Sequence, residues 1–188
     1  MSQQELLRQV VEALEGAGCD YMVTGSYASS FQGEPRSTHD IDLVVALTPA
    51  GTTALLKAFP PPRYDLDELM VRDAVARSDM FNLLDADTGD KVDFWMLKDD
   101  AFDQSRFARK VSETLGGLSV KMSTAEDTIL MKLKWAVDCG GSEKQYGDAL
   151  GIYELQAARI DHAYLDLWAE RLGVREELAR VRREAEPL

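Results

Sequence analysis

The chain has 188 residues, 45% of them hydrophobic and 29% charged, and a formal net charge of −12. That length suits one compact domain or a core with a small appendage. Its apolar runs are too short to span a bilayer, and its acidity argues against non-specific coating of nucleic acid, which rests on attraction to phosphate.

The start, from Met1 to Val11, lacks the basic-then-apolar pattern of a secretion signal, and Cys19 and Cys139 form neither a disulfide framework nor a zinc spacing. A cytoplasmic protein with reduced thiols is expected. Leu6, Leu7, Val10, Val11 and Leu14 recur at helical spacing and predict a helix over 3–15, stopped by Gly16 and Gly18. Tyr21 to Thr24 reads as a short strand ending at Gly25-Ser26, followed by a short helix over 27–31 and a loop over 33–37. Ile41 to Leu47 is a strongly apolar strand broken only by Asp42. Thr48-Pro49 opens a helix that ends near Phe59, and a second helix is expected over 65–76, with Asp65, Asp67 and Glu68 in a solvated first turn. Strands over 80–85 and 92–97 follow, joined at Asp87 to Asp90, then a hairpin over 110–122 around Gly116-Gly117. Beyond Met122 the pattern is helical throughout: 124–138, 143–157, 161–172 and 174–185, with capping boxes at Ser123 to Glu126 and Ser142 to Gln145. The expected architecture is α+β, a mixed β-sheet flanked by helices over 1–122, with a C-terminal helical bundle over 123–188 packed on it.

The chemistry is concentrated around Asp40-Ile41-Asp42. Strand side chains alternate faces, so Asp40 and Asp42 point one way and Ile41 and Leu43 the other. Two like charges side by side repel, and a divalent cation such as Mg²⁺ or Mn²⁺ is their natural partner. The competing expectation is a solvated strand edge, but the apolar flanks argue for a central strand. Asp93 interrupts a later apolar strand in the same manner. If the two strands pair, three carboxylates converge as in two-metal phosphoryl-transfer sites, or Asp93 serves as a general base. Gly25-Ser26 lies between a strand and a helix, where backbone N–H groups and a hydroxyl can hold phosphate. Arg36, in the loop leading to the Asp pair, is placed to reach phosphate, with Ser37 or Thr38 to fix a carboxylate; His39 reads as an ordinary strand-entry residue.

These motifs resemble the nucleotidyltransferase superfamily with the DNA polymerase β-like fold, which carries a Gly-Ser pair, two acids one residue apart on a strand and a third acid on a later strand. Within it the chain looks most like small AbiE-type toxin nucleotidyltransferases, which add a Lys on a helix after the core and an Asp on the next. Lys132 and Asp148 stand at those places, and the resemblance spans roughly residues 20–155. It implies a metal-dependent enzyme that moves an NMP from an NTP, ATP among them, to a hydroxyl or phosphate acceptor with release of pyrophosphate. It also implies that Asp40, Asp42 and Asp93 hold the metal, that Gly25, Ser26 and Lys132 serve the nucleotide, and that Asp148 positions Lys132 or binds acceptor; Arg36 joins the nucleotide set by its place in the loop alone. Independently of the family, Lys132 and Lys134 lie on opposite flanks of the face formed by Ile129, Leu130, Leu133, Ala136 and Val137. Lys134 shares a face with Asp127 and Asp138 and reads as part of a solvated ion-pair row, while Met131 and Trp135 form a second apolar patch expected to be covered.

Two other classes compete. One is a non-catalytic module that binds a nucleotide or a partner protein. The other is the toxin half of a toxin–antitoxin pair acting on tRNA, with an antitoxin protein as partner. Ordinary surface roles compete as well: Lys132 as a packed surface lysine, Asp148 paired with Lys144, and the Arg- and Glu-rich last helix as a solvated face. No P-loop, zinc spacing or nucleophile elbow is present in the sequence.

Overall fold

The computed structural model describes residues 2–38 and 40–186, so His39 lies outside the described residues. By packing, the chain divides into two units, Met1–Thr24 with Thr38–Met122, and Gly25–Ser37 with Ser123–Leu188.

The first unit is built on a seven-stranded mixed sheet. Its strands are β1 (Asp20–Thr24), β2 (Asp40–Ala46), β3 (Tyr64–Asp65), β4 (Met80–Asp85), β5 (Lys91–Met96), β6 (Val111–Leu115) and β7 (Leu118–Met122), in the order β3-β4-β5-β2-β1-β7-β6. β2 is therefore central, and its charges are not those of a solvated edge. It pairs antiparallel with β1 and parallel with β5. Four helices accompany the sheet: α1 (Gln3–Gly16), α3 (Pro49–Ala58), α4 (Glu68–Arg77) and α5 (Ala101–Arg109). The apolar stripe of α1 is completely buried, as its periodicity requires. α1 packs on α3 and β1, and α4 on β4. One sheet face is entirely apolar at its centre, with Tyr21, Val23, Ile41, Leu43, Phe81, Val92 and Phe94 buried. Phe81 and Phe94, opposite each other on β4 and β5, stack with ring centroids 4.7 Å apart.

Two departures from the sequence reading have clear causes. The helix expected over 65–76 begins at Glu68, because Asp67 caps it by accepting from the Leu69 and Met70 N–H groups, which leaves Asp65 in the two-residue strand β3. α5 was not anticipated. Asp100 caps it, and its buried face alternates Phe102 and Phe107 with Asp103 and Arg106, an ion pair at 2.7 Å that breaks the apolar pattern. Phe107 packs on Met22 and Val44, on the opposite side of the sheet from Ile41 and Leu43.

The second unit holds α2 (Gly25–Gln32), α6 (Ala125–Asp138), α7 (Glu143–Gln156), α8 (His162–Leu172) and α9 (Arg175–Glu184). α2 and α8 pack on α6, and α2 and α9 on α7. A Cβ at Gly33 would lie 3.0 Å from Ile152 Cγ1 and 3.1 Å from the Ser29 carbonyl, so glycine permits the close exit of α2 past α7. The cap of α6 is Thr124 rather than Ser123, which instead shares a hydrogen bond with Thr128. Ser142 caps α7 as expected. Lys134 pairs with Asp138 at 2.8 Å, but Asp127 is buried and accepts from the Tyr164 hydroxyl at 2.7 Å, so it is not part of a solvated row. Trp135 remains 41% exposed and Val137 43%, so the second apolar patch is not covered at Trp135, and Val137 falls outside the buried stripe. Arg180 of α9 pairs with Glu184 on its own helix and with Glu143 of α7, and Arg182 with Asp166 of α8. Among the described residues, no helix is long and apolar enough to cross a membrane.

Phe94→Ala empties a stacked, fully buried site in the centre of the sheet, and urea unfolding is expected to show a loss of about 3–5 kcal/mol.

Candidate active site

β2 turns Asp40 and Asp42 to one face because Ile41 and Leu43 are taken by the apolar face behind. The parallel pairing with β5 sets Asp40 opposite Lys91 and Asp42 opposite Asp93. On the flanking strands Thr24 stands opposite Asp42, and Asn82 opposite Asp93. A polar row, Thr24, Asp42, Asp93 and Asn82, thus crosses four strands on one face, with Asp40 and Lys91 in the next row. The third acid of the sequence motif does lie beside the first two.

The three carboxylates have different surroundings. The Asp40 side chain is 53% exposed, whereas that of Asp93 is 11% exposed. Asp42 accepts from the Trp95 indole N–H at 3.4 Å. The Lys91 ammonium lies 2.9 Å from Asp93 Oδ2 and 3.6 Å from Asp40 Oδ1. Its hydrogen bond to Asp93 and the charges of both acids hold the Lys91 amine above its ordinary range. The other Asp93 oxygen, Oδ1, is buried without a hydrogen-bond partner among the described residues. A buried carboxylate oxygen normally finds a donor or a metal. As the side chains stand, no three His, Cys, Asp or Glu among the described residues are arranged to hold a metal ion, and Lys91 stands between two of the candidates. Hard oxygen donors on one face, together with the orphaned Asp93 oxygen, fit a divalent cation such as Mg²⁺ or Mn²⁺.

The second unit carries a separate cationic cluster. Gly25, with φ of 63°, opens α2 in a conformation that favours glycine. The Ser26 hydroxyl accepts from Arg36 Nη2 at 2.8 Å and from Lys132 Nζ at 3.4 Å. Asp148 accepts from Arg36 through Nε at 2.9 Å and Nη2 at 2.7 Å, and from Lys132 at 2.7 Å. Lys132 is 4% exposed, so it is no surface lysine, and Asp148 pairs with Lys132 and Arg36 rather than with Lys144. Burial pushes the Asp148 carboxyl up, but the hydrogen bonds and charges of Arg36 and Lys132 outweigh it and hold the group below the usual carboxylate range. The cluster presents two cations and a hydroxyl, oriented by one acid. Such an arrangement suits a phosphate.

Thr38 does not fix a carboxylate; its hydroxyl donates to the Asp40 backbone carbonyl at 3.2 Å, and Ser37 is exposed. The sequence reading passed over Lys91, Asn82 and Trp95. Period-two alternation was the available signal for Lys91 and Trp95, since each lies two residues from Asp93 on the same strand.

No family model matches the sequence, nor does any curated protein. Solved structures do. An antigenic nucleotidyltransferase-like protein from Paracoccidioides brasiliensis is similar over 97% of this chain and 93% of its own, with a TM-score of 0.55 at 18% identity. ANT(2'')-Ia in complex with adenylyl-2''-tobramycin aligns over 97% of this chain and 99% of its own, with a TM-score of 0.49 at 15% identity. JHP933 from Helicobacter pylori aligns over 96% and 89%, with a TM-score of 0.45 at 14% identity. The mixed sheet, its flanking helices and the likeness to the first of these structures give the chain a nucleotidyltransferase-like fold.

Proposed function

We propose that the protein is a metal-dependent nucleotidyltransferase, which moves an NMP from an NTP to a hydroxyl or phosphate acceptor. The observation that carries this reading is the register of β2 with β5, which sets Asp42 beside Asp93 and leaves one buried Asp93 oxygen without a partner among the described residues. Asp40, Asp42 and Asp93 would hold Mg²⁺ or Mn²⁺. When bound, that ion supplies charge to the phosphate oxygens of the donor. Ser26, Arg36 and Lys132 form the anion-binding cluster, to which the donor's β- and γ-phosphates are assigned, and Gly25 leaves the backbone there open to close approach. Asp148 holds Lys132 and Arg36 in place and is a positioning residue. In the transfer, the acceptor oxygen bonds to the α-phosphorus, the bond to the bridging oxygen breaks, and pyrophosphate leaves. Asp93 is the carboxylate assigned to the acceptor proton if it is not occupied as a ligand. The narrower resemblance to AbiE-type toxins motivates RNA, tRNA included, as the first acceptor class and an antitoxin protein as a partner. The cytoplasm is the proposed setting.

Pyrophosphate release from each of the four NTPs, with Mg²⁺ or Mn²⁺ and total RNA as acceptor, tests the reading. Release is expected with at least one donor, and the double substitution Asp40→Asn with Asp42→Asn is expected to cost about 10³-fold or more. Lys132→Met, in the other cluster, is expected to cost about 10²-fold. NTP binding without release under any condition would favour the non-catalytic module instead.

Asp148→Ala removes the acid that accepts from both Arg36 and the buried Lys132, and is expected to destabilise the chain by about 3 kcal/mol in urea. Because the folded Asp148 carboxyl lies below its ordinary value of 3.8, its contribution is complete above that pH and fades as pH falls through the folded value. The stability gap between wild type and Asp148→Asn is therefore expected to be level near neutrality and to close below pH 3.8. A gap that widened on acidification would contradict the assignment.

A further inference from the structure

Lys91 joins Asp93 to Asp40 on the carboxylate face, and its position follows from the backbone. It lies opposite Asp40 across the β2–β5 pair and two residues before Asp93 on its own strand, so all three side chains rise from the same face. Its ammonium binds Asp93 Oδ2 at 2.9 Å and approaches Asp40 Oδ1 at 3.6 Å. A divalent ion held by Asp40 and Asp93 would compete with this ammonium for the same two carboxylates. The remaining Asp93 oxygen, Oδ1, is buried with no partner among the described residues, so one half of this carboxylate is satisfied by lysine and the other is not. The Lys91 side chain is 33% exposed, which leaves its four-carbon stem a route to solvent.

We propose that Lys91 is a tethered counter-cation of the carboxylate cluster, which holds Asp93 and Asp40 together until a divalent ion displaces it. The residue sets how tightly the site takes metal. Without Lys91, Asp40 and Asp93 would lose the cation that lies between them in the metal-free protein. With it, a metal ion gains only the difference between its own attraction and that of the ammonium it replaces. Once released, Lys91 stays on the same face, where it is available to an anionic group of a bound ligand. This inference rests on the reading of Asp40, Asp42 and Asp93 as a metal site.

The test is Mn²⁺ binding to the full chain without nucleotide, read from the electron paramagnetic resonance of free Mn²⁺. Lys91→Met removes the charge and keeps the length; Lys91→Gln is a second neutral variant should the first fold poorly, and Lys91→Arg retains the charge. Both neutral variants are expected to bind Mn²⁺ about fivefold more tightly than wild type, the worth of one partly exposed ion pair. Lys91→Arg is expected to bind as wild type does. The neutral variants should also melt at lower temperature than wild type without metal and gain more from added Mn²⁺. Mn²⁺ binding in Lys91→Met but not in wild type would support the proposal in its strongest form. Equal or weaker binding in the neutral variants, while Asp42→Asn still abolishes wild-type binding, would overturn the proposal and leave the metal site standing. No Mn²⁺ on wild type or on any Lys91 variant would overturn the metal site, and the proposal with it.

Discussion

Electrostatic repulsion among carboxylates on adjacent strands is the constraint around which the first unit is arranged. β2 lies at the centre of the sheet, where both faces are costly places for charge, yet it carries Asp40 and Asp42, and the parallel partner β5 adds Asp93 directly beside Asp42. The opposite face makes this tolerable. Ile41, Leu43, Val92 and Phe94 fix the register from behind, and a slip of one residue would bury the acids and expose the core. Lys91 and the Trp95 indole N–H then take up part of the charge in front. The geometry that makes the site possible is therefore enforced by apolar packing on the other side of the same strands.

The second unit solves the converse problem. Lys132 is enclosed in a helical core, where a lone ammonium would shed its proton or unfold its surroundings. Asp148, one helix later, accepts from it and from Arg36, so two cations share one acid and the Ser26 hydroxyl. Lys132, Arg36 and the Ser26 hydroxyl together offer donors to an anion, and the shared acid keeps the cations oriented before one arrives.

The alternation of Asp40, Ile41, Asp42 and Leu43 was enough to read the facing of β2, because period-two burial is a local property. The helical bundle was likewise legible from spacing and from the Ser142 cap. What sequence could not supply was pairing at a distance. Asp148 and Arg36 are 112 residues apart in the chain, and the nearer Lys144 was the natural partner on helical spacing alone. The strand that Asp93 joins was open for the same reason. α5 escaped notice because its buried face carries the Asp103–Arg106 ion pair, so charge falls where an apolar stripe is expected. Asp127 was misjudged in the same way: a buried acid that accepts from Tyr164 looks, in sequence, like any acid in a first helical turn. Lys91 is legible by alternation, two residues from Asp93 on the same face, but its contact with Asp40 depends on the pairing of β5 with β2.

A crystal structure grown with Mn²⁺ and a non-hydrolysable NTP analogue addresses the account most directly, since the anomalous signal of manganese locates the ion without assumption. The account predicts a manganese peak against Asp40 and Asp42, with the analogue's phosphates against that ion. A nucleotide bound elsewhere, or manganese away from these two carboxylates at concentrations that saturate binding, would contradict it.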